Sequence, residues 1–400
     1  MGRSEIACPY SGMTSKRILA VRGLTACLLI APMQLAFAQT TPHSAVRADK
    51  ANASAASSNQ FEQVAKRAAQ ARDRNNLEDA VRLYRAALKI KPSWLEGWWD
   101  LGTILYDTDR YDEARPAFHR LANLKPDGAA AWAMLGLCEF ELHDYEQALQ
   151  HLRRAQATGG LGSTRELSEV ALYHLAILYT RFEQYEAGTE MLFTMARAGN
   201  ESPSLIEALG LSVLRMPFLP TEMPPDKREM VLMAGRAAYD MRTNRPSEGK
   251  KEFEELISRD GEMPNVHYAY GTFLLTTDAD TALGEFNREI QISPNHVPAR
   301  LQIAFEHIKR EDFASGLPFA EKAVELAPQS FAAHDALGRI FFGMGKTDQA
   351  IRELETAVKL APDSPEVRFA LYTAYARAGR KADADHARAE FMRLDKLRKN

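Results

Sequence analysis

The stretch "WWDLGTILYDTDRYDEARPAFHRLANLKP", residues 98–126, carries apolar side chains at helical spacing in two short runs and ends on a proline. That pattern predicts two antiparallel helices closed by a residue that cannot continue the hydrogen-bond ladder. The same features return at a fixed step. Pro92 and Pro126 stand 34 residues apart, and Ala80, Ala114 and Ala148 keep that interval. So do Trp98 and Trp132, Leu101 and Leu135, and Gly102 and Gly136. Much later, Pro294, Pro328 and Pro362 take the same step. A period of this length marks an architecture in which each unit contacts only its neighbours.

Residue by residue, the stretch resembles the tetratricopeptide-repeat family through Trp98, Leu101, Gly102, Tyr111, Ala114, Phe118 and Pro126. So does "AAHDALGRIFFGMGKTDQAIRELETAVKLAP" (332–362), through Leu337, Gly338, Phe341, Ala350, Ala357 and Pro362. The resemblance implies an all-α fold, an α-solenoid in which about nine antiparallel helix pairs wind into a right-handed superhelix. Each shared position has a physical reason. Gly102, Gly136 and Gly338 fall mid-helix, where glycine costs about 1 kcal/mol against alanine. A closely packed second helix, with Ala114, Ala148 and Ala350 as its small residues, would justify that cost. Tyr84 and Phe118 are large enough to fill the seam between units.

Units at 61–94, 95–128 and 129–162 stay in phase, with Gly160 at the expected proline position. Units at 263–296, 297–330, 331–364 and 365–396 are in phase again, apart from one deletion near Thr276–Asp280. The span 163–262 diverges. "VALYHLAILYTRFEQYEAGTEMLFTMARAG" (170–199) is a weaker unit, with Ala176, Tyr179 and Tyr185, and "REMVLMAGRAAYDMRTNRPSEGKKEFEELIS" (228–258) is weaker still. Residues 211–227, "LSVLRMPFLPTEMPPDK", fit no repeat. Pro217, Pro220, Pro224 and Pro225 break any helix, while Met216, Phe218, Leu219 and Met223 predict an ordered, packed loop or hinge. The polar stretch from Asp385 to Asn400 resembles a solubilising cap.

The start of the chain differs. Lys16, Arg17 and Arg22 precede an apolar run, Leu24–Phe37, and an Ala36-Phe37-Ala38 cleavage signature. The run is too short to span a bilayer and suits a signal peptide over 1–38, cleaved after Ala38. Met13 offers an alternative start, and Leu24–Cys27 a weaker lipoprotein signature. From 39 to 60 the composition is that of a flexible linker. Removing Arg3, Lys16, Arg17, Arg22 and Glu5 from 50 basic and 53 acidic residues leaves 46 and 52, a net charge of −6. That balance speaks against nucleic-acid or anionic-membrane partners. Cys138 alone of three cysteines remains, so no intrachain disulfide is expected. A mean hydropathy of −0.34 excludes a multi-span membrane protein.

Neither a zinc-protease, nucleophile-elbow, paired-cysteine nor phosphate-loop motif occurs. Gly159–Thr164 superficially resembles a phosphate cradle, but it has no lysine and sits where the repeat needs a turn. His267 and His334 occupy the position of Trp98 and Trp132 and read as packing residues. His143 and His151 fall in different helices. No metal, cofactor or catalytic residue is expected. The chain reads as a non-enzymatic scaffold for protein partners, exported to the periplasm or beyond. A component of an envelope export or assembly system and a self-associating structural protein stay open as alternatives.

In the family the first helix of each unit lines the concave face. Carried over position by position, the partner-binding groove would consist of Trp99, Tyr106, Phe140, Tyr173, Tyr268, Phe305, Arg339, Phe342, Phe369 and Arg377, with about half of the aromatics packing between helices instead. Arginine and aromatic residues dominate binding hot spots. The family's carboxylate-clamp set is missing, since Trp99, Thr103, Leu301 and Phe305 stand at its positions. The resemblance therefore implies an apolar or extended peptide segment as ligand.

Overall fold

The structure, a computed structural model, describes residues 43–399 apart from 162, 163 and 244. The signal segment and residues 39–42 lie outside the described residues. Among those described there are nineteen α-helices and no strand. Four antiparallel pairs come first: α1 (His43–Asp73) with α2 (Leu77–Ile90), α3 (Leu95–Asp107) with α4 (Tyr111–Leu124), α5 (Ala129–Glu141) with α6 (Tyr145–Ala157), and α7 (Arg165–Arg181) with α8 (Tyr185–Arg197). After α9 (Pro203–Val213) come five more: α10 (Arg228–Arg242) with α11 (Pro246–Asp260), α12 (Val266–Leu274) with α13 (Ala279–Ile292), α14 (Val297–Lys309) with α15 (Phe313–Leu326), α16 (Phe331–Gly343) with α17 (Thr347–Leu360), and α18 (Pro365–Arg377) with α19 (Lys381–Lys399). Nine pairs agree with the repeat count read from the period.

The chain divides into two compact units. The described residues up to Ala208, with Pro217–Met223, form unit 1; Leu209–Met216 and Pro224 onward form unit 2. The division falls within the span that the sequence sets apart as divergent. In residues 211–227, α9 ends at Val213 and two short 3-10 turns follow, Pro220–Glu222 and Pro225–Lys227. Leu219 and Met223 are buried, and Arg181 pairs with Glu222 at 3.0 Å, so within unit 1 this loop is packed in place.

One boundary differs from the sequence reading. The expected linker over 39–60 is helical from His43 onward. Its polarity suggested disorder, but alanine is the best helix former, and extending a packed helix avoids a second nucleation. The C-terminal half of α1 is fixed to the core by Ala68 and Ala71, and its helix continues backward from there.

The glycines sit at close approaches. A methyl group on Gly102 would meet the Phe118 ring at 2.7 Å. On Gly136 and Gly338 it would meet Leu152 and Leu354 at 2.8 and 2.7 Å, and then the carbonyls of Ala148 and Ala350. The facing alanine thus contributes its backbone, and the large residue one turn later contributes the contact. Tyr84 and Phe118 are fully buried.

Two kinds of turn alternate. Within a pair, a left-handed residue closes the first helix: Asn75, Asp109, His143, Glu183 and Glu311, with Gly345 and Gly379 in the last two pairs. The following amide bonds back into the helix, as Arg110 N–H does to the Leu105 carbonyl at 2.9 Å and Lys346 N–H to the Phe341 carbonyl at 2.9 Å. Between pairs, the proline carbonyl accepts a side-chain N–H from six residues on. Trp98 donates to Pro92 (2.8 Å), Trp132 to Pro126 (2.9 Å) and Arg300 to Pro294 (2.7 Å). At the same register His334 Nε2 lies 3.0 Å from the Pro328 carbonyl, and Arg368 donates to Pro362. Tryptophan, arginine and histidine share little except an N–H at the right reach.

Candidate partner-binding surface

The ten groove residues lie on first helices, where register puts them, but they separate into three groups. Tyr106, Tyr173 and Tyr268 are buried. Tyr106 packs edge-on against Tyr111 with centroids 5.1 Å apart, and Tyr268 lies 4.8 Å from His296. They join helices and present no open surface. Trp99, Phe140, Phe305 and Phe342 are half-buried, with one side on the core and the other toward water. Phe369 is 46% exposed.

The two arginines also differ. Arg339 is bound to both oxygens of Asp335 at 2.9 Å and donates to the Glu366 carbonyl at 3.1 Å, which uses up its charge. Asp335 is itself buried, so this pair neutralises an internal carboxylate. Arg377 is exposed; its guanidinium lies 3.6 Å from the Phe342 ring centroid and donates to the Phe342 carbonyl at 2.7 Å.

Charge at the ends of the first helices was not anticipated from sequence. In unit 1, α1, α3 and α5 finish on Asp73, Asp107 and Glu141, against the helix dipole, which favours cations there. Asp73 has Arg72 beside it at 3.2 Å. Asp107 has one carboxylate oxygen buried without a hydrogen-bond partner among the described residues. Burial and the neighbouring Asp109 push its carboxyl up to about 7. Burial also raises Glu141, with His143 opposing. In unit 2, α14 and α18 finish on Lys309 and Arg377, as the dipole prefers.

A partly buried network ties the first two pairs of unit 1. The Asp100 carboxylate accepts from Tyr84 at 2.6 Å and Arg72 at 2.5 Å, joining α1, α2 and α3. Open clefts lie between successive second helices. One of about 470 Å³ is floored by Trp98 and Leu101 between α2 and α4. Another of about 520 Å³ is floored by Leu135 and Glu139 between α4 and α6. None of the ten groove residues lines either.

Cys138 is fully buried, and burial pushes its thiol far up, leaving an inert packing group. His267 and His334 bridge first to second helices, 2.5 Å from Glu285 and 2.7 Å from Glu353. Among the described residues no three His, Cys, Asp or Glu side chains are grouped to hold a metal, and no helix is long and apolar enough to cross a membrane.

Comparison with known proteins fits this architecture. Residues 66–122, 99–161 and 307–377 match family descriptions of the tetratricopeptide repeat. A TPR repeat-containing protein of Methanocaldococcus jannaschii is 22% identical over 77% of this chain and 51% of its own length. Anaphase-promoting complex subunit 3 of Schizosaccharomyces pombe is 23% identical over 68% of this chain and 41% of its own. The chain thus spans about half the length of the curated relatives it matches, or less. Among solved structures, MamA from Desulfovibrio magneticus is 23% identical over 43% of this chain and 96% of its own, with a TM-score of 0.37. From the period, the helix pairs and the family matches, residues 66–161 and 307–377 of this chain belong to the tetratricopeptide-repeat family.

Proposed function

We propose that this chain is a non-enzymatic scaffold that holds partner polypeptides against the faces built by its first helices, and that it works outside the cytoplasm after cleavage at Ala38. The observation that carries the binding reading is the exposure of rings on those helices. Trp99 and Phe140 in unit 1, and Phe305, Phe342 and Phe369 in unit 2, keep apolar surface in water although their helices have buried positions elsewhere. The outer side of each ring stays in contact with water at an apolar cost that the core contact of its inner side does not require, which supports an interaction surface. Two matched relatives are, by name, a repeat protein and a complex subunit, which supports interaction as the activity. Export rests on the basic n-region, the apolar run and the Ala36-Phe37-Ala38 signature.

The binding test uses the mature chain and a Phe305→Ala/Phe342→Ala/Phe369→Ala variant as bait in an envelope fraction. Equal thermal midpoints first establish that the variant folds. Loss of captured proteins is the expected result; identical captured sets would sink the first-helix surface. Export is tested by cell fractionation with N-terminal sequencing. A cytoplasmic product that retains Lys16 and Arg17 would overturn it.

A further inference from the structure

Arg377 ends α18, and among the described residues no carboxylate lies within ion-pairing distance of it. Its positioning is nonetheless fixed. The Phe342 ring lies 3.6 Å beneath the guanidinium, and one N–H bonds the Phe342 carbonyl at 2.7 Å. An arginine has five N–H donors, so most remain to be used. A guanidinium held against a ring and a carbonyl loses little further side-chain freedom when it binds, and its fork matches a carboxylate. Arg339, on the preceding first helix, shows the contrast, because Asp335 already occupies it.

The surroundings are apolar. Phe369, Thr373 and Arg377 recur every four residues and so share one face of α18. Phe369 is 46% exposed, with Phe391 and Tyr372 rings at 5.2 and 6.0 Å. The well-exposed large apolar side chains of the described residues, Phe331, Met344, Phe369, Met392 and Leu397, all belong to unit 2. On α18, then, an exposed ring, Phe369, shares a face with an anchored cation, Arg377, that has no ion-pair partner among the described residues.

We propose that the α16–α18 face of unit 2 binds an extended polypeptide segment carrying a carboxylate side chain beside apolar ones, the carboxylate on Arg377 and an apolar side chain against Phe369. This rests on the reading that first-helix faces hold polypeptides. Charge complementarity selects the partner. A phosphate brings close to two negative charges and is met by clustered arginines, whereas here the nearest other groove arginine is already neutralised. One free guanidinium matches one carboxylate.

The test measures binding by the full mature chain of two blocked peptides in fluorescence anisotropy. Both are rich in leucine and phenylalanine; one has a central Asp-Glu pair and the other Asn-Gln. The acidic peptide should bind about tenfold more tightly, a typical value for a charge-assisted contact. In Arg377→Gln that preference should vanish, while Arg377→Lys should keep part of it. Phe369→Ala should weaken both peptides. Equal binding of the two peptides by the wild type, no binding of the acidic one, or a preference that survives in Arg377→Gln would overturn the proposal. If binding lacks acid preference but still falls in Phe369→Ala, the first-helix surface stands and only the carboxylate assignment fails. If binding is indifferent to Phe305→Ala, Phe342→Ala and Phe369→Ala, the surface itself is wrong.

Discussion

The first three helix pairs, α1–α6, and the last three, α14–α19, build their separate cores on the same pattern and differ in their surfaces. Glycine stands at the close approach in both, at Gly102, Gly136 and Gly338, and Ala304 takes that place in α14. Both also satisfy the proline carbonyl with a side-chain donor six residues on. Outward, the early pairs end their first helices on Asp73, Asp107 and Glu141 and, among the described residues, expose no large apolar side chain strongly. The late pairs end on Lys309, Gly343 and Arg377 and contain all of the well-exposed ones. The repeat constrains the positions that pack and leaves the outward positions free, so partner choice is written where the period is silent.

The largest effect should come from breaking the shared core pattern. Gly136→Leu and Gly338→Leu each place a side chain where a methyl already meets leucine below 3 Å. Each should destabilise by about 1–3 kcal/mol through overpacking. An unchanged urea midpoint for either would show that the two regions do not share that contact. Next comes the turn. Trp132→Phe removes the indole N–H and leaves the Pro126 carbonyl without its donor, at an expected cost of about 1 kcal/mol. His334→Phe should cost a similar amount at Pro328, plus its bridge to Glu353. If the tryptophan variant alone were destabilised, the three donor types would not be equivalent.

Asp107 distinguishes the surfaces. With its folded carboxyl raised to about 7 above an unfolded value of about 4, its contribution is fully present below the unfolded value. That contribution is lost as pH rises through the folded one. Asp107→Asn should match the wild type near the acid end of that window and exceed it in thermal midpoint above about pH 7. A gap independent of pH would assign the effect to packing. The smallest change concerns the left-handed turn residue, glycine in the last two pairs and Glu311 in α14–α15. Glu311→Gly should stabilise by at most about 0.5–1 kcal/mol, since relief of the left-handed strain is partly offset by glycine's looser unfolded chain. A loss of stability would show that the glutamate side chain contributes at that turn.

Much of this was legible in residues. The period located the pairs, the glycines and the seam residues Tyr84 and Phe118, because each must recur in every unit. The proline-carbonyl contact was not legible, since Trp98, Arg300 and His334 look unrelated until geometry shows one N–H doing one task. The linker reading failed because composition reports surface polarity, while α1 is held from its far end. Among the groove residues, register placed all ten on first helices but could not tell Tyr106, inside, from Phe140, half outside.

By itself the sequence determined the helix pairs and their number, because apolar spacing and a recurring small residue are local requirements that every unit must meet. Only the tertiary structure decided which outward groups are spent and which are free. Arg339 and Arg377 are the same residue on neighbouring first helices. One has a buried aspartate one turn behind it and is neutralised; the other lies on an aromatic ring with no carboxylate in reach. The Asp335–Arg339 pair is local, four residues apart on one helix, but the seat of Arg377 on Phe342 joins residues 35 apart, and only packing brings them together.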